Sequence, residues 1–299
     1  MRPDLTRYAW LSLAAAFATL LLKLLAWKLT GSVGLLSDAL ESLVNVGGAL
    51  MALSMLRIAA MPPDDGHAYG HSKAEYFSSA FEGLLIVVAA GSILWAALPR
   101  LLDPRPLEAA GLGLAVSVAA SAINLAVAQV LLRAGQRHRS IALTADGHHL
   151  MTDVWTSAGV VLGVLLVALT GWHRLDALLA IAVAVNVLWT GRALMRESVA
   201  GLMDAALPEE ELAQLQAVLD EFRAEGIGFH ALRTRRSAAR RFASMHVLVP
   251  GDWSVRRGHA LLERLEQRIA ERLAPITVLT HLEPIEDAVS YGDEGLDRP

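Results

Sequence analysis

Two short stretches hold side chains that do not belong in hydrocarbon. "SDALESLVN" carries Asp38, Glu41 and Asn45, and "DGHHLMTD" carries Asp146, His149 and Asp153, each inside a long apolar run. A charged residue at mid-bilayer costs roughly 2.5–3.5 kcal/mol on insertion scales, so such residues either serve a function or are hidden against one another. Glu41 and Asn45 are four residues apart, as are His149 and Asp153, which puts each pair on one helix face. Packed helix against helix, the two pairs would bring four oxygen and nitrogen donors to one point. Carboxylate and imidazole are standard ligands for zinc and its transition-metal neighbours. Two other readings use the same residues: an interhelical hydrogen-bond network that holds the bundle, and a proton relay without metal. The offsets also align Asp38 with Asp146, Glu41 with His149 and Asn45 with Asp153. That is the pattern of an internal three-span repeat, the symmetry around which many transporters build a site near mid-membrane.

Two further clusters lie outside the apolar runs. In "PPDDGHAYGHSKAEYF", Asp64, His67 and His71 are close in sequence, and a helix starting at His67 would set both histidines on one side; the alternative is a solvated polar loop. Near the C-terminus His230, His246 and His281 each fall in a strand-like run and His259 falls on a helix. Glu283 follows His281 by two residues, which on a strand returns to the same face. One such histidine is an ordinary core or surface residue, whereas four with a glutamate form a candidate ligand set.

The elements that must position these groups follow from composition. Of 299 residues 54% are hydrophobic and only 19% charged, with a mean hydropathy of +0.43, too apolar for a soluble enzyme of this length. Six apolar runs, at about 8–30, 33–57, 77–99, 110–133, 142–170 and 175–198, reach the roughly 20 residues a bilayer-crossing helix needs. The first is too long for a signal-peptide core and no small-residue cleavage site follows it. Arg2, Arg7, Arg57, Lys73, Arg133, Arg137 and Arg139 load one side, against Lys28, Arg100, Arg105 and Arg174 on the other. Positive charge favours the cytoplasm, so both termini are expected there, in an inner or plasma membrane. The absence of cysteine excludes disulfides and thiolate ligands. No nucleophile constellation or phosphate-binding loop is evident, so no enzyme activity and no ATP hydrolysis is expected.

From Pro208 the chain turns soluble, in the order αββαβ. "EEELAQLQAVLDEF" sets Leu212, Leu215, Val218, Leu219 and Phe222 on one helical face with three glutamates in its first turn. "FHALRTR", "RFASMHVLV" and "ITVLTHLEP" read as strands around the helix "SVRRGHALLERLEQRIAERLA". The expected organisation is a six-span all-α transmembrane bundle over 1–207, a small cytoplasmic α/β domain over 208–287, and a disordered tail over 288–299. The basic turn "RTRRSAARR" is read as contacting acidic headgroups or a partner subunit rather than nucleic acid.

Taken together, the six spans, the "SDALESLVN" and "HHLMTD" pair, the loop "PPDDGHAYGHSKAE" and the histidine-bearing αββαβ tail resemble the cation diffusion facilitator family of metal efflux transporters, in its bacterial iron and zinc efflux branch. The resemblance covers nearly the whole chain. It implies a transport site on Glu41, Asn45, His149 and Asp153, where the branch usually carries two aspartates at the positions of Glu41 and Asn45. It implies a loop site on Asp64, His67 and His71, and an interlocking pair of Lys73 with Asp204. It also implies a ferredoxin- or metallochaperone-like tail with a binuclear site on His230, His246, His259, His281 and Glu283, where aspartate is usual at position 283. The expected protein is a homodimer in the lipid bilayer that exports divalent metal in exchange for protons, without a prosthetic group. Zinc is the first candidate cation, and iron, manganese, cobalt and nickel also suit the donors. A membrane-bound metal sensor with a vestigial transport site, and a proton-coupled carrier of a non-metal solute, are the alternatives.

Overall fold

The computed structural model describes residues 4–30, 33–103, 111–172 and 174–292, with side chains described at all of these except 30, 33–38, 41, 111–114, 164, 168 and 176. The chain divides into two compact units, Met1–Val199 and Ala200–Pro299.

Among the described residues the first unit is built from six helices: α1 (Thr6–Thr30), α2 (Val33–Ala59), α3 (Ala74–Leu102), α4 (Gly111–His138), α5 (Ile141–Thr170) and α6 (Arg174–Leu202), whose last turn runs into the second unit. Six helices among the described residues are long and apolar enough to cross a membrane. The helices outrun the apolar stretches: α4 continues past residue 133 to His138, because the backbone ladder needs no hydrocarbon to propagate. Ser140 begins α5, its Oγ accepting the amide of Leu143 at 3.4 Å, and the helix ends at Gly171, whose φ of 69° is left-handed and free of a Cβ penalty.

Apolar residues point both ways, as they must when the outer solvent is lipid. Phe17, Leu21, Val88, Trp95 and Trp189 are exposed. Inside, Ala9, Leu13 and Ala16 of α1 pack with Leu53 and Leu56 of α2, Leu131 of α4, and Leu143 and Leu150 of α5. A second cluster joins Ile86 and Ala90 of α3, Ala145 of α5, and Val187 and Leu194 of α6. Hydrophobicity alone cannot discriminate helix from lipid, so close approach depends on small residues. A Cβ at Gly191 of α6 would lie 3.1 Å from the carbonyl oxygen of Gly83 on α3, and one at Gly159 of α5 only 2.9 Å from Val183.

The second unit contains α7 (Glu209–Arg223), β1 (Gly228–Ser237), β2 (Arg240–Val249), α8 (Val255–Leu273), β3 (Ile276–Pro284) and a closing 3-10 turn, Ala288–Tyr291. The sheet order is β1-β2-β3, with β1 antiparallel and β3 parallel to β2, so α8 is the crossover that a parallel pair requires. One sheet face carries Ala243, Met245, Val247 and Val249 against Leu215, Leu219, Leu265 and Ile269 of the two helices. Leu212, expected on the buried face of α7, is only partly covered. Arg241 is buried beneath α7, its Nε and Nη2 donating to the two oxygens of Glu211 at 2.8 and 2.5 Å while Nη1 donates to the carbonyl of Leu273 at 3.1 Å. The segment before α7 is laid along β1: Arg236 N donates to Ala205 O and Leu207 N to Thr234 Oγ1, each at 3.2 Å.

The tail expected to be disordered from 288 is ordered through its first residues. Ser290 Oγ donates to Pro284 O at 2.8 Å and Tyr291 Oη to Ile285 O at 3.0 Å, bonds that fold the segment back on the end of β3. Residues 293–299 lie outside the described residues.

Candidate functional site

Three of the four residues read as a membrane ligand set are brought together. Asn45 of α2 lies between the two residues of α5: its Oδ1 is 2.9 Å from His149 Nε2, and its Nδ2 donates to Asp153 Oδ2 at 2.5 Å. His149 and Asp153 share a face because they are one turn apart on α5. The side chain of Glu41 lies outside the described residues, as does that of Asp38; Arg2 and Arg105 also fall outside them. Asp146, the repeat counterpart of Asp38, is buried and accepts from Ser12 Oγ of α1 at 2.9 Å.

Two residues at this site were not singled out from sequence. Asn124 of α4 donates its Nδ2 to the same Asp153 oxygen at 3.0 Å. Glu82 of α3 is fully buried, with Oε2 3.1 Å from His149 Nδ1. Each interrupts an apolar run, "SSAFEGLLIVV" and "AASAINLAVAQV", and a polar residue within a span is by default a candidate functional group. The site therefore draws on α2, α3, α4 and α5, and its donors are oxygen and imidazole nitrogen, a set that suits zinc, iron, manganese, cobalt or nickel.

The loop trio also converges, by a different route from the one the sequence suggested. Residues 64–73 form turns rather than a helix, with a bridge between Asp64 and His67, and α3 starts only at Ala74. His67 N donates to Asp64 Oδ1 at 2.7 Å, His67 Nδ1 lies 3.1 Å from the same oxygen, and His71 Nε2 lies 3.3 Å from Oδ2. The two imidazoles sit 4.3 Å apart between ring centres. Partial desolvation raises the Asp64 carboxyl, but the hydrogen bonds and charge of His67, with His71 behind them, outweigh it and hold the group below its ordinary value. His71 Nδ1 is buried without a hydrogen bond among the described residues.

In the second unit the strand register aligns three histidines across the sheet, on the face away from α7 and α8. His230 is opposite His246, and His246 is opposite His281. Glu283 sits among them, with Oε2 2.8 Å from His230 Nε2 and 3.3 Å from His246 Nδ1, and Oε1 3.5 Å from His281 Nε2. One ligand atom from each of His230, His246 and Glu283 lies within 4.8 Å of the others, a spacing that small side-chain movements would close on a zinc ion. His281 is the exposed edge of this group. His259 is not brought to it: on the exposed side of α8, its Nε2 is 3.8 Å from Glu263. Tyr291 stacks on His230 with ring centres 6.1 Å apart, so the ordered tail caps one side of the cluster. Asp204, expected to pair with Lys73, has an ion-pair partner within its own unit, Arg235 Nη1 at 3.3 Å.

Six membrane-length helices around a buried polar constellation, followed by a small α/β unit with a histidine and carboxylate cluster, define a multi-pass membrane carrier rather than an enzyme. Comparison with known families makes this specific: the cation efflux transmembrane domain matches residues 9–203 and the cation efflux protein cytoplasmic domain matches residues 207–285. The chain belongs to the cation diffusion facilitator family of metal-cation efflux transporters. An uncharacterized transporter of Synechocystis sp., sll1263, is 54% identical over 284 residues, 95% of this chain and 92% of that one. The cation-efflux pump FieF of Klebsiella pneumoniae is 32% identical over 280 residues, 93% of this chain and 92% of that one. A solved chain of the proposed zinc transporter CzrB is 35% identical, covering 26% of this chain and 96% of its own, with a TM-score of 0.25.

Proposed function

We propose that the protein is a homodimeric metal/proton antiporter of the inner membrane, with both termini cytoplasmic and zinc as its first candidate cargo. One observation carries the reading: Asn45 bridges His149 Nε2 and Asp153 Oδ2 across two helices, so three donors already face one point deep in the bundle. A cation entering there takes the place of the bridging amide, with the Asn45 oxygen, the imidazole nitrogen and the carboxylate turning onto it; Glu41, one turn before Asn45 on α2, is the fourth ligand. Coupling follows from the chemistry of the donors. His149 ligates only as a neutral imidazole and Asp153 only as a carboxylate, so protons and metal compete for the same atoms. Metal from the cytoplasm displaces protons, the bundle changes its access, and protons from the far side eject the metal. Asp64, His67 and His71 form a loop site. His230, His246, His281 and Glu283 form a cytoplasmic site where bound metal draws the subunits together.

The test is uptake of zinc, iron, manganese, cobalt and nickel into sealed proteoliposomes under an imposed pH gradient, with wild type beside Asn45→Asp and Asp153→Ala. Movement of one cation with accompanying proton flux, both abolished by Asp153→Ala, is the expected result. A second reading is favoured by the same amide bridge, since it occupies both ligand atoms: the membrane site is vestigial and the cytoplasmic cluster acts as a metal sensor. That reading prevails if no cation moves until Asn45 is made Asp.

A further inference from the structure

We propose that Glu82 is a positioning residue of the membrane site, holding His149 by Nδ1 so that Nε2 is the nitrogen turned to the transported cation. This rests on the reading that His149 ligates that cation. The carboxylate of Glu82 is completely buried, and neither of its oxygens has a hydrogen bond within the described residues. Taking an unpaired carboxylate out of water is among the costliest things a fold can do. A carboxylate that serves as glue finds a donor on a neighbouring helix, as Glu75, two turns earlier on α3, does by accepting from Ser140 Oγ at 2.5 Å. Glu82 has no such donor and lies against an imidazole instead.

The ring of His149 is bracketed. Glu82 Oε2 lies 3.1 Å from Nδ1 on one side, and Asn45 Oδ1 accepts from Nε2–H at 2.9 Å on the other. A cation can take Nε2 only in the other tautomer, with the proton on Nδ1, and that is the tautomer a carboxylate at Nδ1 selects. A histidine that gives one ring N–H to a carboxylate presents the opposite nitrogen as its ligand atom, in a fixed tautomer and orientation. The contact at Nδ1 is within reach but not aligned as a hydrogen bond. Such bonds often tighten only when the site is engaged, and a cation on Nε2 strengthens Nδ1–H as a donor. Space for the carboxylate is provided by α2: a Cβ at Gly48 would lie 2.7 Å from Glu82 Oε1, so only glycine leaves the acid its place. Glu82 also adds a carboxylate beside that of Asp153 to a site where Asn45 contributes none.

The test uses the full-length protein in proteoliposomes and whichever of the five cations above the wild type moves fastest. Glu82→Gln keeps the shape and removes the carboxylate; the expected result is a KM raised about 10–100-fold, the usual loss when a ligand's hydrogen-bonding partner is removed, with a smaller fall in kcat. Gly48→Ala keeps the carboxylate but displaces it from its present position beside the ring, and is expected to raise KM in the same direction. Should Glu82→Gln fail to assemble, Gly48→Ala decides alone. KM values within twofold of wild type in the variants that assemble, or a loss confined to kcat, overturn the assignment. A wild type that moves no cation sinks the transport reading and this inference with it, whereas an active wild type with unshifted variants sinks this inference alone.

Discussion

Replacing Glu283 by alanine is expected to uncouple the cytoplasmic unit from metal. Glu283 is the common neighbour of His230, His246 and His281, at 2.8, 3.3 and 3.5 Å, so it is the residue through which the strands share a cation. Structural zinc sites with four ligands bind with about 10–16 kcal/mol, or roughly 3 kcal/mol per ligand, so losing one weakens binding about a hundred-fold. At free zinc a hundred times the wild-type dissociation constant, linkage stabilises the folded unit by about 2.7 kcal/mol, whereas the weakened variant gains only about 0.4 kcal/mol. Peptide-resolved hydrogen exchange on the full-length protein reads this difference at the site itself. Amides of β3, Ile276–Pro284, should exchange about a hundred-fold more slowly with zinc in the wild type and only about twofold more slowly in Glu283→Ala. Equal zinc-dependent protection in the two proteins, or none in the wild type, would refute the argument that the aligned histidines and Glu283 form one site.

Asn124→Ala removes one of the two amides donating to Asp153 and should raise KM for the transported cation about tenfold, with flux kinetics as the check. Arg241→Met removes the guanidinium that bonds both Glu211 oxygens and the Leu273 carbonyl; because Glu211 is partly exposed, the cost should fall at the low end, about 3 kcal/mol, read as faster exchange in β2 and α8. For the loop, the carboxyl of Asp64 titrates below its ordinary value, so its contribution to loop order is present above the ordinary carboxylate pKa and lost as pH falls through the lowered one. His67→Ala should move that titration back up toward the ordinary range, measurable by carbon NMR of labelled aspartate, and an unmoved titration would discard His67 as the cause.

Much of this architecture was legible because the bilayer imposes simple rules. A run of some 20 apolar residues must be a helix, and the i, i+4 spacing on such a helix sets His149 and Asp153 toward one neighbour without any knowledge of that neighbour. The cytoplasmic histidines were legible in part: strand alternation gives the side of each residue, but only the register decides that His230, His246 and His281 lie opposite one another. The helical route to the loop trio was misleading. Gly66 and Gly70 break the ladder between Asp64 and Lys73, and Gly70 takes a φ of 80°, so His67 and His71 meet through a turn. Glu82 and Asn124 stood in plain view as polar residues in apolar spans, yet no spacing ties either to His149 or Asp153. Their part in the site comes from which helices are neighbours, with α3 and α4 both packed on α5, and neighbourhood is the property that hydrophobic periodicity leaves open when every face of a helix is apolar. In a membrane protein the buried polar residue that pattern reading cannot place is therefore the one whose contacts say most about function, and the carboxylate of Glu82 beside His149 is that case here.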